Sequence, residues 1–253
     1  MSSIKVVSLN IEYCSNVSRG YWQYLTNLWK YILPHDKSAI WKISNVINTE
    51  EVHVATFTEM DGGGYRTKNL NYMNIISEIT PLKNNVFYPV NRMWFNLGVR
   101  GNGIATVYDI VEAKNIKLEH DGFIGRITGE NRYLSSSKIN LNGQHITILT
   151  TQLALGKGSR LKELEHIKNI IQSHKGPIIF TGDLNTEYED ELKILDETGL
   201  IRVETPKTFP SWKPSRRIDY IFHSKDFDHI DSRVLERLKV SDHLPVITEL
   251  KLK

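Results

Sequence analysis

The chain switches between two-residue and helical spacing of its apolar positions. Residues 5–10 alternate and are rich in valine, which predicts a strand. Residues 21–33 place apolar side chains at 21, 25, 28 and 32, a helical spacing that stops at Pro34. Residues 36–48 repeat that spacing with Ile40, Ile43 and Ile47. A strand is expected over 52–57, then a sharp loop at Asp61-Gly62-Gly63-Gly64. Residues 68–79 predict a helix with Leu70, Met73, Ile76 and Ile79 on one face. Strand-like runs follow at 86–90, 103–108, 133–141 and 144–151, and Asn142-Gly143 between the last two is a hairpin signal. A helix is expected over 159–172, with Leu161, Leu164, Ile167 and Ile171 inward. A short buried strand at 177–181, a short helix at 189–197 ended by Gly199, and strands at 218–222 and 246–252 complete the pattern. Strands outnumber helices, the helices are interspersed, and no repeat or linker divides the chain. That pattern predicts a mixed α/β domain with helices packed outside the sheets.

Composition narrows this picture. The length of 253 residues suits one domain or two, and 40% apolar content with eight Phe, five Trp and eleven Tyr can build a core. The single cysteine, Cys14, excludes an intrachain disulfide and a multi-cysteine zinc site. Lys and Arg number 32 against 29 Asp and Glu, a net charge of +3 that neither requires nor excludes a nucleic-acid partner. The chain shows no secretory signal pattern and no apolar run near the roughly 18 residues that span a bilayer. The expectation is a cytoplasmic or otherwise intracellular protein, with signal-less export left open. No protein partner is inferable.

Polar residues concentrate where strands end. Asn10 ends the first strand and Glu59 follows the second. Asp183 and Asn185 follow the run Ile178-Ile179-Phe180-Thr181-Gly182. Asp219 lies inside Arg217-Ile218-Asp219-Tyr220-Ile221-Phe222, where an unpartnered buried carboxylate would be costly. Asp242 and His243 stand just before the last strand. Strand ends of an α/β sheet converge on one edge, where ligands bind. Two carboxylates about 6 Å apart repel by roughly 3 kcal/mol at an effective dielectric near 20. Four together need cations, namely a divalent metal and a protonated His243. Oxygen ligands with one histidine favour magnesium, manganese or calcium over zinc. Asp183 and Asn185, two apart, would face the same side of an extended chain and grip one water together.

Ser8-Leu9-Asn10-Ile11, Thr58-Glu59-Met60, Gly101-Asn102-Gly103-Ile104-Ala105-Thr106, Gly182-Asp183-Leu184-Asn185, Arg217-Ile218-Asp219-Tyr220-Ile221 and Ser241-Asp242-His243-Leu244-Pro245-Val246 occur in that order. Together they resemble the endonuclease/exonuclease/phosphatase superfamily of DNase I and the AP endonucleases. The resemblance implies one catalytic domain over 1–253, a four-layer α/β/β/α sandwich of two packed mixed sheets. It implies hydrolysis of a phosphate ester with Mg2+, and Mn2+ as substitute. Glu59 is then the principal metal ligand, with Asn10 its neighbour at the metal or phosphate and Asp242 a metal-side or second-metal carboxylate. Asp183 orients or deprotonates the attacking water, and Asn185 holds water or a phosphoryl oxygen. His243 contacts a non-bridging oxygen, with Asp219 fixing its ring and charge. One departure stands out: where many relatives have Thr-His-Leu, this chain has Thr151-Gln152-Leu153. Gln152 donates a hydrogen bond but cannot be a general acid.

Substrate contacts are expected from Gln152, from Arg132 in the Glu130-Asn131-Arg132 run, and from Trp212 and Arg216 in the loop before Asp219. Trp94, in Trp94-Phe95, suits base stacking or a membrane interface if exposed, and core if buried. Lys157 and Arg160 suit phosphate through their side chains and the nearby amides of Gly156 and Gly158. The expected activity is that of a nuclease or nucleic-acid end-processing enzyme. The alternatives are a phospholipid or inositol-phosphate hydrolase, and a degenerate nucleic-acid-binding protein without turnover.

Overall fold

The structure, a computed structural model, describes residues 3–34, 38–119 and 131–253. Twelve strands are described: β1 (Ser3–Asn10), β2 (Val54–Asp61), β3 (Asn84–Arg92), β4 (Val99–Thr106), β5 (Asp109–Lys117), β6 (Tyr133–Leu141), β7 (Gln144–Gln152), β8 (Ile178–Asp183), β9 (Ile201–Arg202), β10 (Asp219–His223), β11 (Phe227–Val234) and β12 (Val246–Leu252). They form two six-stranded mixed sheets, ordered β11-β12-β1-β2-β4-β3 and β5-β6-β7-β8-β10-β9. The helices are α1 (Trp22–Thr26), α2 (Ser38–Thr49), α3 (Tyr72–Ile79), α4 (Lys157–Ser173) and α5 (Glu189–Asp196).

Strand parity sorts the core into three layers. On β1, Val7 and Leu9 point outward and pack with Ile40, Ile43 and Ile47 of α2 and with Met73 and Ile76 of α3. Ile4 and Val6 point inward, toward Ile146, Ile148, Ile179 and Ile221 of the other sheet. The outer face of the second sheet, with Phe180, Tyr220 and Phe222, packs on Leu164, Ile167, Leu192 and Leu195 of α4 and α5. The result is the expected α/β/β/α sandwich.

Parity also explains where the polar groups gather. The inward positions of β1 read Ile4, Val6, Ser8, Asn10, all partly or fully hidden from solvent and turning polar toward one end. The same drift runs through Val54, Thr56 and Thr58 on β2, Ile146, Ile148, Thr150 and Gln152 on β7, and Ile179, Thr181 and Asp183 on β8. The space between the sheets is therefore apolar at one end and hydrogen-bonding at the other. Thr181 Oγ1 bridges the sheets by donating to Thr56 Oγ1 at 2.8 Å. β1 runs parallel to β2, and β7 to β8, so all four polar ends reach the same edge.

Several elements differ from the sequence pattern. The run 21–33 is not one helix. α1 gives way at Asn27 to a 3₁₀ turn over Leu28–Tyr31. Its apolar positions face out, because the polar side chains Gln23, Tyr24, Asn27 and Tyr31 are the ones that bond to the protein body. The helix expected at 68 begins at Tyr72, because Lys68 and Asn69 have positive φ and Asn71 caps the helix by accepting from Met73 N at 2.9 Å. β5 and β11 escaped the sequence pattern, since they run along sheet edges with mostly exposed or half-buried residues. The expected start of α2 at Asp36 lies outside the described residues.

Arg160 does not offer a phosphate contact, and Lys157 is engaged in a surface ion pair. Arg160 is buried, forks onto both Glu191 oxygens at 2.5 and 3.0 Å, and donates to the carbonyls of Ala154 and Leu155. Lys157 pairs with Asp190 at 3.0 Å. The Arg160–Glu191 pair ties α4 to α5 through side chains that are 4% and 0% exposed. Glu191→Ala leaves a buried guanidinium unpaired and is expected to lower the unfolding free energy by about 3–5 kcal/mol in urea titration. A loss below about 1 kcal/mol, the ordinary range for a solvated pair, would show that the pair does not hold these helices.

Candidate active site

Each wall of the site is set by a local backbone feature. β2 carries a bulge: Phe57 pairs with Gly103 and Met60 with Gly101, so two residues oppose one. In an unbroken strand Glu59 would share the outward parity of Phe57. Its φ of 54° turns the carboxylate to the inner edge instead. On β8, Gly182 has a φ of 151°, and a Cβ there would lie 2.1 Å from the Thr151 carbonyl oxygen. Only glycine lets β8 pass this close to β7 and deliver Asp183. Before β12, Ser241 Oγ donates to the Asn10 carbonyl at 2.6 Å and accepts from His243 N at 3.1 Å, which locks the Ser-Asp-His turn to the end of β1.

The expected residues meet. Asn10 Nδ2 donates to Glu59 Oε1 at 3.1 Å and to Asp183 Oδ2 at 3.0 Å. Gln152 Nε2 donates to the same two oxygens, at 2.5 and 3.3 Å, while its Oε1 accepts from Arg132 Nη1 at 2.9 Å. The amide at 152 thus bridges an arginine and two carboxylates. His243 Nδ1 faces both Asp219 oxygens at 3.0 and 2.9 Å, and Thr208 Oγ1 donates to Asp219 Oδ2. His243 Nε2 points between Asp183 and Asp242, 3.9 Å from each. Tyr24 OH donates to Asp242 Oδ2 at 2.5 Å, and Asp242 Oδ1 is buried with no hydrogen bond among the described residues, His243 Nε2 being its 3.9 Å ion-pair neighbour.

Ligand-type atoms of Asp183, Asp219 and His243 lie within 4.8 Å of one another, close enough to hold a cation. The Nδ1–carboxylate contact marks this trio first as an ion pair, with a proton where a metal would otherwise sit. Glu59, Asp183, Asp242, His243, Asn185, Arg132, Arg216 and Gln152 all line one cleft of about 350 Å³.

Some side chains behave differently from expectation. Asn185 does not continue an extended chain. Its φ is 51°, its backbone N–H donates to Asp183 Oδ1 at 3.0 Å, and its Nδ2 donates to the Leu153 carbonyl at 2.8 Å. It braces Asp183 from a turn rather than standing beside it. Trp212 is not part of the cleft lining; it packs edge-on against Tyr21, with ring centres 5.0 Å apart. Arg216 lines the cleft while pairing with Glu187 at 2.9 Å. Trp94 falls in the turn Trp94–Asn96, and its side chain, like Glu130, is outside what the structure describes.

Sequence reasoning missed Glu12, Tyr13, Tyr24, Thr208 and the placement of Arg100. Glu12 N donates to Asn10 Oδ1 at 3.0 Å, and Tyr31 OH donates to the Glu12 carboxylate. The Arg100 and Arg66 guanidinium groups lie 4.4 and 4.7 Å from the Tyr13 ring centre. Nothing in the residue pattern after Asn10 marked this loop, because Glu12, Tyr13 and Cys14 take a positive φ that apolar spacing does not record.

Burial dominates the electrostatics. It raises the Asp183 carboxyl to about 6, against the pull of the His243 charge and with the help of Asp219 and Glu59. Burial also raises Asp242 and lifts Glu12 to about 8. On His243 burial opposes the charge, but Asp219, Asp242 and Asp183 outweigh it, and its pKa stands well above the ordinary 6.5. All these shifts act in one direction on stability. A raised histidine stabilises fully below its unfolded pKa, and that contribution fades as pH climbs through its folded pKa. A raised carboxyl keeps a proton that the unfolded chain has released, so for Asp183 stability is lost as pH rises from 3.8 to about 6. Cation-free protein is therefore expected to melt at a higher temperature near about pH 5 than near about pH 8 by calorimetry, and Asp183→Asn to flatten that slope. Greater stability at the higher pH would contradict this charge balance.

Comparison with known proteins fits this arrangement. Over 110 residues the chain is 32% identical to a UPF0294 protein of Yersinia pseudotuberculosis, a match spanning 42% of each chain. The fold matches an endonuclease/exonuclease/phosphatase family protein of Bacteroides thetaiotaomicron with TM-score 0.73 and 17% identity, covering 100% of this chain and 98% of that one. It also matches the mannosyl-6-phosphatase of the same organism with TM-score 0.70 and 18% identity, covering 98% and 100%. Residues 8–243 match the Endonuclease/Exonuclease/phosphatase family, whose members hydrolyse phosphate esters, and the chain belongs to that family.

Proposed function

We propose that the chain is a divalent-metal-dependent phosphodiesterase acting as one catalytic unit. The observation that supports this best is the meeting of Glu59, Asp183 and Asp242 around a charged His243, with Asp242 Oδ1 buried and, among the described residues, without a hydrogen bond. A buried carboxylate oxygen without a donor is expensive, and a hard cation is the ligand that relieves it. Glu59 and Asp242 would hold the ion, with Asn10 at its side, and all-oxygen donors fit Mg2+ or Mn2+. Once bound, the ion would neutralise phosphate charge as a Lewis acid.

The protein's own groups supply the rest. Asp183, held by Asn10, Gln152 and Asn185 and raised toward neutral, takes a proton from the attacking water. His243, kept charged by Asp219, donates through Nε2 to a non-bridging phosphoryl oxygen. Arg132 and Arg100 line the cleft for the remaining anionic oxygens. Gln152 holds charge and geometry but has no proton to give, so the leaving group takes its proton from elsewhere. The binding-protein alternative leaves this full set of acid, base and charge-stabilising groups without a role. Nucleic acid as the ester keeps Arg132 and Arg100 in its favour, while Trp212 packs on Tyr21 and Arg216 on Glu187.

Hydrolysis of bis-p-nitrophenyl phosphate is expected with Mg2+ or Mn2+ and to stop with chelator. Glu59→Ala and Asp183→Ala are each expected to lower kcat by about a thousandfold or more, and His243→Gln by about a hundredfold. Turnover that survives chelation or Glu59→Ala would refute the reading. Gln152→Ala, which unlinks Arg132 from the carboxylates, is expected to lower kcat/KM by about tenfold without abolishing turnover. An unchanged kcat/KM would show that this bridge does not organise the cleft.

A further inference from the structure

Residues 21–33 are built inside out. Polar side chains face the protein and large apolar ones face solvent, the reverse of an ordinary amphipathic surface helix. Gln23 Oε1 accepts from the backbone of Ser18 and Arg19, and Asn27 Nδ2 donates to the Ser15 carbonyl. Tyr24 and Tyr31 donate to Asp242 and Glu12. The opposite side carries Trp22, Leu25, Leu28, Trp29, Ile32 and Leu33, of which Trp22 is 57%, Leu25 81% and Trp29 46% exposed. The two tyrosines fix this segment against Asp242 of the cleft and against the buried Glu12 carboxylate, so the apolar ridge is held in place and does not merely fray.

A cationic groove adjoins the ridge. Arg19, Lys30, Lys42 and Lys239 line it with neutral amides and one hydroxyl, and none of its described lining residues is acidic. Lys30 Nζ donates to the uncharged Ser15 carbonyl at 3.0 Å and lies 5.8 Å from the Trp29 ring centre, so its charge pairs with no carboxylate among the described residues while its stem leans on the ridge.

We propose that residues 21–33 and this groove form a docking surface for an anionic lipid bilayer. Tryptophan and tyrosine suit the headgroup zone, leucine and isoleucine the acyl boundary, and clustered cations the phosphates of acidic lipids. A stretch of 13 residues lies in the interface and does not cross it. A nucleic acid would use the cations and the indoles but leave four aliphatic side chains wet. A second copy docked through a twofold contact would set the same cationic groove of both chains around one apolar patch, with like charges opposed. The proposal goes beyond the phosphodiesterase reading and does not need turnover to be tested.

Flotation with vesicles of phosphatidylcholine alone, or mixed with phosphatidylserine, tests it on the full chain. The protein is expected to float with the mixed vesicles and to be released by high salt. Arg19→Glu with Lys42→Glu is expected to weaken partitioning by about thirtyfold. Trp22→Ser, Leu25→Ser and Trp29→Ser combined are expected to weaken it by about a hundredfold or more, with the melting temperature and the hydrolysis of bis-p-nitrophenyl phosphate retained. Protein that stays in the aqueous phase with both vesicles while still hydrolysing that ester would overturn the docking surface and leave the enzyme reading intact. A solution dimer by light scattering that the triple variant dissociates would also overturn it, by assigning the ridge to a second copy.

Discussion

One imidazole among three buried aspartates is the constraint around which the site is organised. Asp183, Asp219 and Asp242 all face His243, and all four residues are nearly closed to solvent. Carboxylates this close cannot all ionise without compensating charge. The protein meets the demand in three ways: a hydrogen-bonded ion pair at Asp219, amide donors from Asn10 and Gln152, and a tyrosine hydroxyl on Asp242. One oxygen of Asp242 remains without a hydrogen bond among the described residues, with only the His243 charge 3.9 Å away. That residual demand is the ground on which a divalent cation is proposed.

The two sheets deliver these groups because strand parity and chain direction agree. The inward face turns from isoleucine and valine through threonine and serine to asparagine, glutamine and aspartate toward one edge. Much of this was legible in the sequence, since two-residue alternation is a strong signal and polar strand ends stand out against apolar runs. Asn10, Asp183, Asp219 and His243 could be named before their positions were known. What sequence could not supply was backbone exception. The bulge that turns Glu59 inward, the left-handed turn at Asn185 and the positive φ values over Glu12–Cys14 all break the periodicity from which a reader works. Edge strands β5 and β11 lack the alternation of half-buried strands, so nothing in their pattern marked them.

The run 21–33 teaches a different lesson. Its helical spacing was legible in the sequence, and the side it would turn to the protein was not. Hydrophobic periodicity says that one face differs from the other; it does not say which face meets the protein. Here hydrogen-bonding side chains decide: Tyr24 and Tyr31 reach the site's carboxylates, and that commitment turns the leucines and tryptophans outward. The same segment therefore links the chemistry of the cleft to the surface the molecule presents.

The account turns on whether the converging oxygens bind a divalent ion. The most direct measurement is anomalous scattering from crystals soaked in Mn2+. The account predicts a peak bonded to the Glu59 and Asp242 carboxylates, inside the cleft that holds Asp183 and His243. An empty cleft under saturating Mn2+, or a peak only at surface carboxylates, would contradict it.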